Sequence, residues 1–145
     1  MVDVIKDELM ERIKEHEGYR LDPYYCTEGF LTGGYGHRIM DGEDVPTTKE
    51  GWDKVFEQDF NKAWASMERL CEENELDIPL KAQGILCEMI FQMGATGVSK
   101  FRNMILALQS HSYMDAASEM LDSKWAKQTP NRAKDLSSRM EELAS

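Results

Sequence analysis

Apolar residues recur at Val4, Ile5, Leu9 and Ile13 with charged residues between them, the spacing of one helix face. The pattern predicts a helix to about Glu17, closed by Gly18, since glycine readily adopts the left-handed conformation that ends helices. The character then changes. Residues 24–37 (Tyr-Tyr-Cys-Thr-Glu-Gly-Phe-Leu-Thr-Gly-Gly-Tyr-Gly-His) are aromatic, β-branched and punctuated by glycine, which predicts a small antiparallel hairpin turning near Glu28-Gly29. Asp41-Gly42 and Pro46 mark a loop. Thr47 with Glu50 three residues on reads as a capping box for a helix to about Cys71, with Phe56, Phe60, Ala63, Trp64 and Met67 as its apolar stripe.

Pro79 suits the first turn of another helix, in which Ile85, Leu86, Met89, Ile90 and Met93 repeat until Gly94. This stretch is the most apolar in the chain and is the candidate central buried helix. Shorter helical patterns follow at Phe101–Leu108 and at Tyr113–Leu121, the latter preceded by Ser112 with Asp115. Thr129-Pro130 then opens a last helix carrying Ala133, Leu136, Met140 and Leu143. One small sheet followed by a run of helices is a mostly helical α+β layout. The expected organisation is a single domain over 1–145, with a hairpin lobe at about 18–46 and a helical lobe from 1–17 and 47–145.

Composition narrows the function classes. The 145 residues carry 17 Lys and Arg against 27 Asp and Glu, a net charge of −10, which argues against nucleic acid as a partner. The excess lies in residues 41–80, with 12 acids and 4 bases. The last third is nearly neutral and holds Lys124, Lys127, Arg132 and Lys134 in a run without acids, which reads first as a solvated surface. No apolar run approaches the roughly 18 residues of a membrane span, and the charged first segment is not a secretory signal. Cys26, Cys71 and Cys87 are odd in number and fit reduced thiols in a cytosolic compartment. No Cys or His spacing suggests a metal, and no cofactor is expected.

Glu17 is the first candidate for chemistry. It ends a predicted helix, where the macrodipole is negative and disfavours a carboxylate, an environment suited to a proton donor. On residue type alone it reads first as an exposed helix-end side chain. Cys26 alone reads as a small buried hydrophobe, and Thr32 as an ordinary strand residue.

Together these residues change weight. Glu17-Gly18-Tyr19-Arg20-Leu21, Thr27-Glu28-Gly29-Phe30 and Thr32-Gly33-Gly34-Tyr35-Gly36-His37 resemble the phage-type lysozyme family. That family's pattern is Glu, eight residues, Asp or Cys, five residues, Thr, and Glu17, Cys26 and Thr32 fit it. The resemblance continues through Phe91-Gln92-Met93-Gly94, Phe101-Arg102-Asn103, Trp125 and 128–134. It implies a lysozyme-like fold and a muramidase, an endolysin that hydrolyses the β-1,4 bond between N-acetylmuramic acid and N-acetylglucosamine in peptidoglycan. Glu17 would be the general acid, with Cys26 and Thr32 on the water or nucleophile side.

By the same resemblance Arg132 would orient Glu17, and Gln92 with Trp125 would form a cleft-floor pair. Phe91, Arg38, Met104 and Glu119 would be further substrate positions. His37 and Asp59 would be a structural ion pair. The implied partners are peptidoglycan glycan strands and a holin-like protein that opens the membrane. The protein is then expected as a monomer in the bacterial cytoplasm before release to the wall.

Three departures matter. Cys26 stands where many relatives have Asp; a thiol titrates near about 8.5, and an ionised Glu17 nearby would favour its neutral form. The segment from His37 to Asp59 is short, so a third strand is not expected. The acidic charge is unfavourable for an anionic wall, so moderate salt should raise activity by screening. The readings left beside hydrolysis are a lytic transglycosylase acting on the same bond and a catalytically weak wall-binding module.

Overall fold

In the computed structural model, which describes residues 1–144, Gly18 takes φ +72° and its N–H bonds to the Lys14 carbonyl at 2.9 Å, ending α1 (Val2–Glu17) where the sequence predicts. The described residues form seven helices and one three-stranded antiparallel sheet, the expected α+β class. The chain divides into two compact units: Asp7–Lys62, and Met1–Lys6 with the chain from Ala63 onward. The first includes most of α1 and more than half of α2.

Within Asp7–Lys62, β1 (Arg20–Tyr25) pairs with β2 (Leu31–Gly34), and β2 with β3 (His37–Arg38). The turn lies at Glu28-Gly29, where Gly29 N–H bonds to the Cys26 carbonyl at 2.9 Å. Two features correct the sequence reading. β1 begins four residues before Tyr24, with a bulge between Arg20 and Tyr24 that accommodates Pro23, a residue unable to donate to a ladder. A third strand does form. Gly34 and Gly36 both take positive φ (58° and 74°) and reverse the chain tightly enough for His37 to pair with Gly33 and Arg38 with Thr32.

The sheet is fastened to α2 (Lys49–Glu73) by Trp52, which is 1% exposed. Its ring lies so close to β2 that a Cβ on Gly33 or Gly34 would come within 2.6 or 2.4 Å of it. Its Nε1–H donates to the Leu21 carbonyl at 3.0 Å. Phe56 and Phe60 continue this buried face at helical spacing. The cap of α2 is Thr48 rather than Thr47: its hydroxyl accepts from the Gly51 N–H at 3.1 Å.

In the other unit, α3 (Leu80–Ser99) is buried at every position from Gly84 to Ile90, as a central helix requires. Gly94 (φ 83°, ψ 160°) interrupts the helix at the predicted point, although helical turns resume beyond it. Around α3 the chain continues as α4 (Arg102–Gln109), α5 (Tyr113–Leu121), α6 (Lys124–Gln128) and α7 (Pro130–Glu142). Ser123 caps the start of α6, accepting from the Ala126 N–H at 3.1 Å, and non-helical Thr129 followed by Pro130 separates α6 from α7. Fully buried Glu88 on α3 is met by the Arg132 Nε of α7 at 3.4 Å, an interior ion pair. No helix among the described residues is long and apolar enough to cross a membrane.

Candidate active site

Glu17 is the last residue of α1 and is half-buried. Its carboxylate rests on the turn between β2 and β3: a Cβ on Gly36 would lie 2.8 Å from Glu17 Oε2. A side chain there would push the carboxylate aside, and Gly36 also occupies the left-handed region that favours glycine.

Cys26 and Thr32 are brought to one face of the sheet. Tyr24 lies opposite Thr32, and the Cys26 N–H bonds to the Phe30 carbonyl at 2.9 Å, so residues 24, 26, 30 and 32 share a side. The Thr32 hydroxyl donates to the Phe30 carbonyl at 2.9 Å and lies within hydrogen-bonding reach of the Cys26 sulfur. Thr32 is buried, while Cys26 is part-exposed.

The Cys26 thiol is shifted below its ordinary value. The chief cause is the Phe30 backbone hydrogen bond, supported by those of Glu28 and Thr32, against desolvation and the Glu28 charge. Donors around the sulfur thus oppose the neutral form that a nearby carboxylate would favour. The other cysteines behave oppositely. Burial raises Cys71, and it pushes Cys87 up to about 12.

Arg38, opposite Thr32 on β3, lays its guanidinium 3.6 Å from the centre of the Phe30 ring. His37 lies between two carboxylates, Nδ1 at 2.6 Å from Asp59 and Nε2 at 2.6 Å from Glu43. Both raise the pKa of His37, Asp59 most. The pairing with Asp59 matches the sequence reading, and Glu43 is an addition to it.

The other candidates lie in the second unit. Trp125 Nε1–H donates to Gln92 Oε1 at 2.9 Å, and Gln92 Nε2 lies 3.5 Å from Thr129 Oγ1. Trp125 packs edge-on against Phe101, with centroids 6.1 Å apart. Both line an open groove of about 450 Å³ with Met104, Glu119, Lys100 and Lys124. Met104 itself is fully buried and serves as floor. Phe91 is half-buried on α3 outside that lining. Arg132 is 9% exposed and engaged with Glu88.

Residues 14–142 match the phage lysozyme family. The chain belongs to that family. A probable T4-type lysozyme 2 of Dictyostelium discoideum is 33% identical over 92% of this chain and 91% of its own length. The pre-baseplate central spike protein Gp5 of Enterobacteria phage T4 is 30% identical over 86% of this chain, which corresponds to 26% of that protein. An endolysin of Acyrthosiphon pisum secondary endosymbiont phage 1 is 26% identical over 82% of this chain and 77% of its own. As a phage lysozyme the chain is a glycoside hydrolase.

Three site features of this phage lysozyme escaped the sequence reading. Gly36 supports the Glu17 carboxylate, Trp52 holds the sheet glycines, and Glu43 is the second partner of His37. The double glycine before Tyr35 was the available signal for a large ring pressed against β2.

Proposed function

We infer that the protein is a muramidase, cleaving the β-1,4 bond between N-acetylmuramic acid and N-acetylglucosamine in bacterial peptidoglycan with Glu17 as general acid. One observation carries the reading. The unit that presents Glu17 at the stopped end of α1 also gathers on one sheet face Thr32 and Cys26, whose thiol is lowered from its ordinary value by surrounding donors. Glu17 gives its proton to the leaving glycosidic oxygen. Thr32 holds the attacking water, and Cys26 takes the proton that the water loses as its oxygen bonds to the anomeric carbon. Arg38, on the sheet, and Phe91, Gln92, Met104, Glu119, Trp125 and Arg132, on the helices, are the proposed substrate-side residues.

The name of another relative, the peptidoglycan hydrolase gp36 of Pseudomonas phage phiKMV, supports the substrate; it is 29% identical over 90% of this chain. In this reading the protein acts as a monomer. It waits in the bacterial cytoplasm and reaches the wall through a membrane breach made by a holin-like partner.

Mass analysis of digested peptidoglycan tests the reaction. Hydrolysis leaves reducing muramic acid ends. Products ending in 1,6-anhydromuramic acid would instead identify a lytic transglycosylase, for which a water-holding Thr32 has no use. Binding to the wall without cleavage would identify a binding module.

A further inference from the structure

We propose that Tyr35 and Asp53 are positioning residues that set the Glu17 carboxylate, by tying both the end of α1 and the β2–β3 turn to α2. The inference rests on Glu17 being the proton donor.

The geometry converges on one carboxylate. Asp53, in the first turns of α2, accepts from the Tyr35 hydroxyl at Oδ1, 3.1 Å away. The same oxygen lies 3.8 Å from Lys14 Nζ. Lys49 Nζ approaches Oδ2 at 3.6 Å and also bonds to the Tyr35 phenol oxygen. Asp53 is therefore shared between α1, the sheet turn and its own helix.

Each contact lies beside Glu17. Lys14 is three residues earlier, on the same side of α1, and its ammonium stands over the Tyr35 ring at 5.1 Å and the Phe56 ring at 5.2 Å. Tyr19, two residues later, packs its ring on Tyr35 with centroids 5.1 Å apart. Gly36, the residue after Tyr35, is the backbone against which Glu17 Oε2 rests. The chain on both sides of the acid, and the surface beneath it, thus meet at Tyr35 and Asp53. The far end of the turn is fixed separately, by His37 to Asp59 on the same helix.

Tyr35 is 7% exposed, and burial with the Asp53 charge raises its pKa. The phenol keeps its proton and remains the donor in this bond at neutral and mildly alkaline pH. Its ring has a packing role of its own, edge-on to Phe56 at 5.3 Å. The hydroxyl adds only the link to Asp53 and Lys49, which is what a positioning role needs.

The test uses the full chain with purified peptidoglycan. Tyr35→Phe, Asp53→Asn, Asp53→Glu and Glu17→Gln are compared with wild type in kcat, KM and melting temperature. Small misplacements of a reacting group cost up to about a hundredfold, so Tyr35→Phe and Asp53→Asn should lower kcat by about tenfold or more with KM unchanged. Asp53→Glu, which keeps the carboxylate, should recover much of the loss. Folded Tyr35→Phe and Asp53→Asn variants with wild-type kcat, or an Asp53→Glu variant as slow as Asp53→Asn, would overturn the positioning role while Glu17→Gln remained inactive. An active Glu17→Gln would overturn the acid assignment itself, and the positioning proposal with it.

Discussion

Replacing His37 with Asn removes two short contacts at once, to Asp59 and to Glu43, each 2.6 Å. The three side chains are 18%, 25% and 29% exposed, sheltered enough for a charge-assisted bond to keep much of its strength. Such bonds contribute about 1.5–3 kcal/mol each, with the lower figure apt for part-exposed partners. His37→Asn should therefore cost about 3 kcal/mol where the imidazole is charged, and Asp59→Asn about 2 kcal/mol, since His37 then keeps Glu43. The double variant should cost about 3 kcal/mol, not the sum of the two, because the partners share one network.

The pH dependence has two limbs. His37 is raised above its ordinary value of 6.5, so its contribution is complete below that value and disappears as pH rises through the folded-state value. Glu43 is lowered from 4.5, chiefly by the Met40 N–H, so its contribution is present above 4.5 and is lost as pH falls through its folded-state value. The clamp is strongest between these limits. Urea denaturation of wild type, both single variants and the double variant at about pH 5.5 and about pH 9 brackets the histidine transition. Additive costs at about pH 5.5, or a His37→Asn cost that grows toward about pH 9, would refute the argument.

Three further outcomes follow from particular contacts. Cys26 should react with iodoacetamide well before Cys71 and Cys87, read by peptide mass, because its thiol is shifted toward thiolate and theirs away from it. Gly34→Ala should destabilise by about 2–4 kcal/mol in thermal melts, combining left-handed strain with a clash of its Cβ against the Trp52 ring. Trp125→Phe should cost about 1–3 kcal/mol by leaving Gln92 without its donor; a melt unchanged from wild type would count against that bond.

Much of this architecture was legible in the sequence where one signal dominated. α1 and its Gly18 stop, the buried run of α3 and the break at Gly94 came from apolar spacing and glycine chemistry. His37 with Asp59 and Gln92 with Trp125 came from motif resemblance. What escaped depended on partners distant in the chain. Trp52 continues the spacing of Phe56 and Phe60 by one turn, but its role appears only when the bare Gly33-Gly34 backbone is laid against it. The start of β1 was hidden by Pro23 and a bulge, and β3 is only two residues long, too short for any alternation to show. Adjacent Thr47 and Thr48 compete for one cap, and local sequence does not decide between them. The Cys26 shift comes from backbone donors in the hairpin, which residue type cannot reveal. Glu88 was visible as a lone acid in an apolar run, but Arg132, its partner, lies 44 positions away.

The central claim is that Glu17 supplies the proton for glycosidic cleavage. Its most direct measurement is the rate of new reducing ends from purified peptidoglycan for wild type and Glu17→Gln, with wall binding measured on the same samples by pelleting. The account predicts loss of at least about a hundredfold in rate with binding retained and the fold intact by circular dichroism. A folded Glu17→Gln variant that releases reducing ends at the wild-type rate would contradict it.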